Sequence, residues 1–115
     1  MEIKRMGTTR RWSDHVIHNG VVYTVEVAAS VDADVETQTR EVLAQLEAGL
    51  ARAGSNKSRL LSVTIWLKDI GDLPQFNAIW DDWVPAGCAP SRACVQAQMA
   101  NPGYKVEIQA TAAVA

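Results

Sequence analysis

Gly87-Cys88-Ala89-Pro90-Ser91-Arg92-Ala93-Cys94-Val95-Gln96 leads into a second stretch, Tyr104-Lys105-Val106-Glu107-Ile108-Gln109-Ala110. Both alternate with the period of two that puts successive side chains on opposite faces of a strand. Ala93, Val95 and Ala97 point one way, and Arg92, Cys94 and Gln96 the other. In the second stretch Tyr104, Val106, Ile108 and Ala110 form an apolar row, and Lys105, Glu107, Gln109 and Thr111 a polar one. Two strands of one sheet are predicted. If they pair antiparallel around a loop at about Gln98 to Pro102, Ala93 stands opposite Val106 and Arg92 opposite Glu107. Directly opposed residues have Cβ atoms ~5 Å apart. The guanidinium and the carboxylate are then either a cross-strand ion pair or a functional pair.

Upstream, Asn19-Gly20 separates Trp12-Ser13-Asp14-His15-Val16-Ile17-His18 from Val21-Val22-Tyr23-Thr24-Val25-Glu26-Val27. Asn-Gly between two β-rich runs signals a hairpin, because both central residues of a type I′ turn need positive φ. Strands are predicted at about 14–18 and 21–27, with His15 and His18 on the hairpin surface. Residues 1–11 have no clear period and read as a frayed strand or an arm. Asp32 or Asp34 starts a helix, with Glu36 in its first turn. Val35, Val42, Leu43, Leu46 and Leu50 recur along it at helical spacing, and Gly54 stops it. Glu36, Arg40, Glu47 and Arg52 form its solvated face. Leu61, Val63, Ile65 and Leu67 alternate with Ser62, Thr64, Trp66 and Lys68 in a further strand. Asp72 and Gln75 suggest a capping box with Pro74 in the first turn. Phe76, Ile79, Trp80 and Trp83 then form a core stripe, ended by Pro85 and Gly87. The order is ββαβαββ, an α+β domain with two helices on one face of a mixed sheet.

A chain of 115 residues is a single domain, 1–115, long enough to bury a core without disulfides. The formal net charge of -2 gives no case for nucleic acid or an anionic membrane, and Lys4, Arg5, Arg10 and Arg11 read as a solvated terminus. Extended chain would hold Cys88 and Cys94 ~20 Å apart, which argues against a disulfide and fits a reducing cytoplasm. No signal peptide or membrane span is visible.

Helices on one face leave the other sheet face to explain. On the assigned registers it carries Ser62, Thr64, Trp66, Arg92, Cys94, Gln96, Glu107, Gln109 and Thr111. Such a surface is too apolar for comfortable solvation and too polar for a monomer core. It suits a subunit interface, so a homo-oligomer packed through its sheets is expected.

Pro90-Ser91-Arg92-Ala93-Cys94-Val95, followed by Lys105-Val106-Glu107-Ile108, resembles the C-terminal signature of the Rid proteins. These are the reactive-intermediate deaminases, also called the YjgF or L-PSP endoribonuclease family. Asn77 and the strand ending Leu67-Lys68-Asp69 match the family as well. Arg11-Trp12-Ser13-Asp14 and Asn101-Pro102-Gly103-Tyr104 look most like its YoaB-type branch. The resemblance covers nearly the whole chain. It implies a chorismate-mutase-like fold and a homotrimer whose sheets form an inner barrel, with clefts between subunits. It also implies hydrolysis of 2-imino or enamine acids, such as 2-aminoacrylate, to 2-keto acids and ammonia with no cofactor and no metal.

In that reading Arg92 holds the substrate carboxylate bidentately and Glu107 activates a water as general base. Cys94 lines the pocket as a packing residue, and Trp12, Asn77, Val25 and Glu26 complete it. Two positions depart from the family pattern. Trp12 stands where a tyrosine is usual, and Thr24-Val25-Glu26 stands where Thr-Ser-Gly is common. By alternation Glu26 shares a face with Thr24. A carboxylate there would repel an anionic imino acid or satisfy Arg92 in its place, so an altered substrate preference is expected. The alternatives are a non-catalytic 2-keto acid-binding module and an endoribonuclease or translation inhibitor. Negative net charge and the lack of an aromatic–basic stripe argue against the latter.

Overall fold

The computed structural model describes residues 2–115. Its strands are β1 (Ile3–Met6), β2 (His15–His18), β3 (Val21–Val27), β4 (Leu60–Leu67), β5 (Ser91–Gln96) and β6 (Val106–Ala113). Its helices are α1 (Val35–Arg52) and α2 (Leu73–Trp83). They make a six-stranded mixed sheet in the order β1-β2-β3-β6-β4-β5, with both helices on one face. The predicted α+β class and element order hold, and the unassigned N-terminal segment becomes the edge strand β1.

Local chemistry sets the elements where the sequence placed them. Asn19 at φ 52 and Gly20 at φ 77 form the β2–β3 turn, the left-handed pair that a type I′ hairpin requires. Asp34 caps α1 by accepting from the Thr37 backbone N–H at 2.8 Å, and Gly54 follows its end. The Glu36–Arg40 ion pair, one turn apart on the outer face, confirms that this face is solvated. The capping box at Asp72 does not form. Instead Asp69 accepts from the Gly71 backbone N–H at 2.8 Å and caps a short turn that leads into α2.

The core lies between the helices and the sheet. Leu43, Leu46 and Leu50 of α1 and Phe76 of α2 pack on Val22, Ile65, Leu67, Val106 and Ile108. Burying each such side chain stabilises the fold by about 1.5–3 kcal/mol.

The last two strands do not pair. The β4–α2–β5 segment is a crossover, which returns β5 parallel to β4 at the sheet edge. The chain after β5 then passes back, and β6 enters antiparallel between β3 and β4. β4 therefore separates Arg92 from Glu107. Arg92 is level with Val63, whereas Glu107 is level with Trp66. The parity is corrected too. Arg92, Cys94 and Gln96 align with Val63, Ile65 and Leu67 on the helix face, and Ser91, Ala93 and Val95 replace them on the open face. Ser62, Thr64, Trp66, Gln109 and Thr111 lie on the open face as expected, with Ser62 and Thr111 hydroxyls 2.6 Å apart. Tyr23 and Val95 on that face are 46% and 44% exposed.

Candidate functional site

The residues expected to act together fall into two groups. The first surrounds a cavity of about 470 Å³, lined by Trp12, Asp14, Val25, Glu26, Val27, Ala100, Tyr104 and Glu107. Trp12 is presented by a tight turn. The Thr9 hydroxyl accepts from the backbone N–H groups of Arg11 and Trp12, and the Thr9 N–H donates to the Trp12 carbonyl at 2.7 Å. The indole stands 57% exposed. Val25 and Val27 come from the open face of β3, and Glu107 pairs with Val27 across β6.

Glu26 and Glu107 are half-buried and hard to ionise. Loss of water raises the Glu107 carboxyl above its ordinary value. Glu26 is pushed up to about 7, by burial first and then by the Asp14 carboxylate, with Arg52 opposing. Among the described residues its only side-chain partner is Gln45, whose Nε2 is 3.5 Å from Oε2, at the limit of a hydrogen bond.

Behind Glu26 lies His15, which is 2% exposed and not on the hairpin surface as expected. It points to the helix face because it pairs with Thr24, whose neighbour across β6 is the core residue Ala110. The Thr24 hydroxyl donates to the Asp14 carbonyl, so its oxygen is left to accept from His15 Nδ1 at 2.9 Å. The imidazole is thus protonated at Nδ1. Burial, and secondarily Arg52, lowers its tendency to take up a second proton, with Asp14 opposing. Nε2 is a buried lone pair with no partner among the described residues. Gly49 makes room for the ring, since a Cβ there would meet His15 Cε1 at 2.6 Å.

The second group is Arg92, Cys94 and Asn77. Arg92 is exposed on β5, and its guanidinium lies 5.9 Å from the Phe76 ring and 5.3 Å from the Trp80 ring. Neither ion pair among the described residues includes it. Cys94 follows on the same face. Burial raises its thiol, against a smaller opposing pull from Arg92, so it is a packing thiol and not a thiolate. Asn77, beside Phe76 on α2, has a buried Oδ1 with no partner among the described residues.

Asp14, Tyr104 and His15 were not expected at a site. Tyr104 read as one more member of an apolar row, and no local pattern marks His15 as buried. A separate groove of about 320 Å³ between α1 and α2, lined by Arg40, Glu47, Lys57 and Trp83 among others, touches none of the expected site residues. Among the described residues no three His, Cys, Asp or Glu side chains group closely enough to hold a metal ion. No helix is long and apolar enough to cross a membrane.

A two-layer α+β chain with a carboxylate cavity at one end of its sheet and an arginine on the edge strand defines the class. Residues 2–114 match the family model described as Endoribonuclease L-PSP. The chain belongs to this family, the YjgF or Rid proteins. It is 50% identical over 114 residues to the RutC family protein YoaB of Escherichia coli, covering 99% of this chain and 100% of that one. NMB1025, a member of the YjgF protein family from Neisseria meningitidis, superimposes with a TM-score of 0.95 at 41% identity, covering 100% of this chain and 97% of that one. Rv2704 of Mycobacterium tuberculosis, of the YjgF/YER057c/UK114 family, gives 0.81 at 26% identity, covering 90% and 86%.

Proposed function

We propose that the protein hydrolyses reactive 2-imino or enamine acids to 2-keto acids and ammonia, at clefts shared between subunits of a homotrimer. The observation that carries this reading is the separation of Arg92 from Glu107 within one chain. They lie on opposite faces of the sheet with β4 between them, so no ligand can touch both in a monomer. Both nevertheless have the features of working groups. Arg92 is an exposed guanidinium without a carboxylate partner among the described residues, and Glu107 is a partly desolvated carboxylate on a cavity wall. A second copy that brings its β5 edge to the cavity completes a clamp and a base. The exposed Tyr23, Val25 and Val95 on the open face supply the apolar surface such an assembly would bury.

In the completed cleft Arg92 of one subunit holds the substrate carboxylate through two parallel N–H···O bonds. Glu107 of the next takes a proton from water as the oxygen attacks the imine carbon and returns it to the nitrogen; the aminol then passes its hydroxyl proton to that nitrogen, the C–N bond breaks, and ammonia departs, leaving the keto acid. Trp12 forms a flat wall beside the reacting carbon. Asn77, whose Oδ1 lacks a donor among the described residues, follows Phe76, one of the two rings under Arg92, and helps to position the clamp.

An RNA-cleaving reading, which the family description suggests, finds less support. His15 is buried, and His18 Nδ1 lies 3.2 Å from the Glu2 carbonyl.

The test is complementation. Arg92→Ala and Glu107→Ala are each expected to lose keto-acid release from 2-aminoacrylate generated in situ. Mixed, unfolded and reassembled at equal ratio, they regain about a quarter of wild-type activity per subunit, because one junction in four then joins an intact arginine to an intact glutamate. No recovery in verified mixed oligomers would sink the shared cleft. No acceleration by wild type over a panel of imines would sink the reaction.

A further inference from the structure

We propose that Trp80, with Phe76 beside it, is a positioning residue for the carboxylate clamp: the two rings form a neutral platform that holds the Arg92 guanidinium in place with its N–H donors free. This rests on the reading of Arg92 as the group that binds the substrate carboxylate.

The platform follows from the helix spacing and the crossover. Phe76 and Trp80 are one turn apart on α2, so both rings leave the same side of the helix. The crossover lays that side against the sheet, where the rings are 0% and 5% exposed and stack with centres 6.0 Å apart. Their places are therefore fixed by the core. Arg92 stands on the edge strand β5, level with Val63 and turned to the helix face. Its guanidinium carbon lies 5.3 Å from the Trp80 ring centre and 5.9 Å from that of Phe76. Both distances fall within the ~6 Å at which a ring face attracts a cation.

The hydrogen-bond inventory gives this arrangement a use. Among the described residues the arginine side chains that donate hydrogen bonds are those of Arg40 and Arg59, and neither ion pair includes Arg92. A carboxylate partner would fix the guanidinium, but it would also occupy the fork and neutralise the charge. A ring attracts the charge and carries no oxygen to take up the fork. An arginine on an exposed strand samples many rotamers, and binding an anion costs that freedom. Held on the rings beforehand, Arg92 meets a carboxylate with less to lose. Trp80 contributes more than Phe76, because indole is the stronger cation-binding ring and its centre is the closer.

Trp83 supplies the control. Its ring continues the aromatic row, 5.5 Å from Trp80, but the rings under Arg92 are those of Phe76 and Trp80. The cation on Trp83 is Lys57, 5.3 Å from the ring centre.

The experiment compares Trp80→Phe with Trp83→Phe, each verified as a folded oligomer of wild-type size. Keto-acid release is followed from an imino acid that an amino-acid oxidase generates in situ, and 2-oxobutyrate is titrated by calorimetry. Trp80→Phe is expected to raise both KM and the dissociation constant of 2-oxobutyrate at least about threefold, with kcat within about twofold, because a carboxylate clamp binds ground and transition states alike. Trp83→Phe should leave all three within about 1.5-fold, since it removes no ring from beneath Arg92. In an Arg92→Ala background Trp80→Phe should have no further effect on kcat/KM. Wild-type constants in Trp80→Phe overturn the inference. So does an equal loss in Trp83→Phe, or a loss that persists without Arg92, since either makes Trp80 a packing residue. If wild type hydrolyses no imine, the deaminase reading fails, and 2-oxobutyrate titration followed at the Arg92 Nε–H resonance by NMR decides the inference alone. A resonance that 2-oxobutyrate does not shift, or shifts at the same concentration in Trp80→Phe, overturns it.

Discussion

Glu26 and Glu107 sit in a cavity that strips them of water, whereas Arg92 lies open on two aromatic rings. The acidic half is built by three strands and a loop, and it stores unfavourable electrostatics: two carboxyls that resist ionising and a buried imidazole lone pair. The basic half sits on an edge strand and stores nothing costly, because an exposed guanidinium keeps its hydration. Each half holds what the other lacks. One chain thus carries an acidic pocket, the socket, and an exposed guanidinium, the plug, on opposite faces of its sheet with β4 between them.

The sharpest way to break this contrast is at the plug. Arg92→Ala should lower kcat/KM on an imino acid at least about 10²-fold, since two charge-assisted hydrogen bonds are lost. Stability should change by less than about 1 kcal/mol, the scale of an exposed cation–π contact. Arg92→Lys should recover only part of the activity. A large unfolding effect with little kinetic effect would make Arg92 structural.

At the socket the order reverses, with stability ahead of chemistry. Gly49→Ala in a helix interior would ordinarily gain about 1 kcal/mol. Here the new methyl drives into the His15 ring, and a loss of about 1–3 kcal/mol is expected in urea unfolding. In a His15→Ala background the same change should become stabilising. A failure of that sign reversal would show that the two do not touch.

Glu26→Gln has a smaller, pH-dependent effect. The native carboxyl is raised to about 7 from an ordinary 4.5, so between these values the folded state holds a proton that the unfolded chain releases. Stability from this group is present below about 4.5 and is lost as pH rises through 7. His15 acts oppositely, because its folded pKa is depressed and unfolding is favoured as pH falls below its ordinary range. Glu26→Gln should therefore raise stability at pH 8 by about 1 kcal/mol, after discounting for partial solvent screening, and by almost nothing near pH 4. Parallel pH–stability curves for the two proteins would remove the claim. Smallest of all, Cys94→Ala should leave kcat/KM within about threefold, because a thiol held protonated is no nucleophile.

Much of this was legible in the chain. The Asn19-Gly20 hairpin, the Asp34 cap, the two amphipathic helices and the strand periods follow from local backbone preference and from apolar spacing, which a sequence displays directly. The family signature named Arg92 and Glu107 without their positions in space. Glu26 was legible as a departure, but its desolvation was not, nor was the burial of His15, since both depend on what α1 lays over β2 and β3.

Sequence alone therefore determined which segments are strands and helices and which residues to watch. Tertiary structure alone decided the strand order and, with it, the separation of Arg92 from Glu107. Strand pairing is non-local. Two strands adjacent in sequence look alike whether they form a hairpin or are parted by a third, and only the crossover through α2, burying its Phe76–Trp80 face on the sheet, placed β5 beside β4. That choice turned Arg92 to the helix face and left β6 to carry Glu107 into the cavity on the far side.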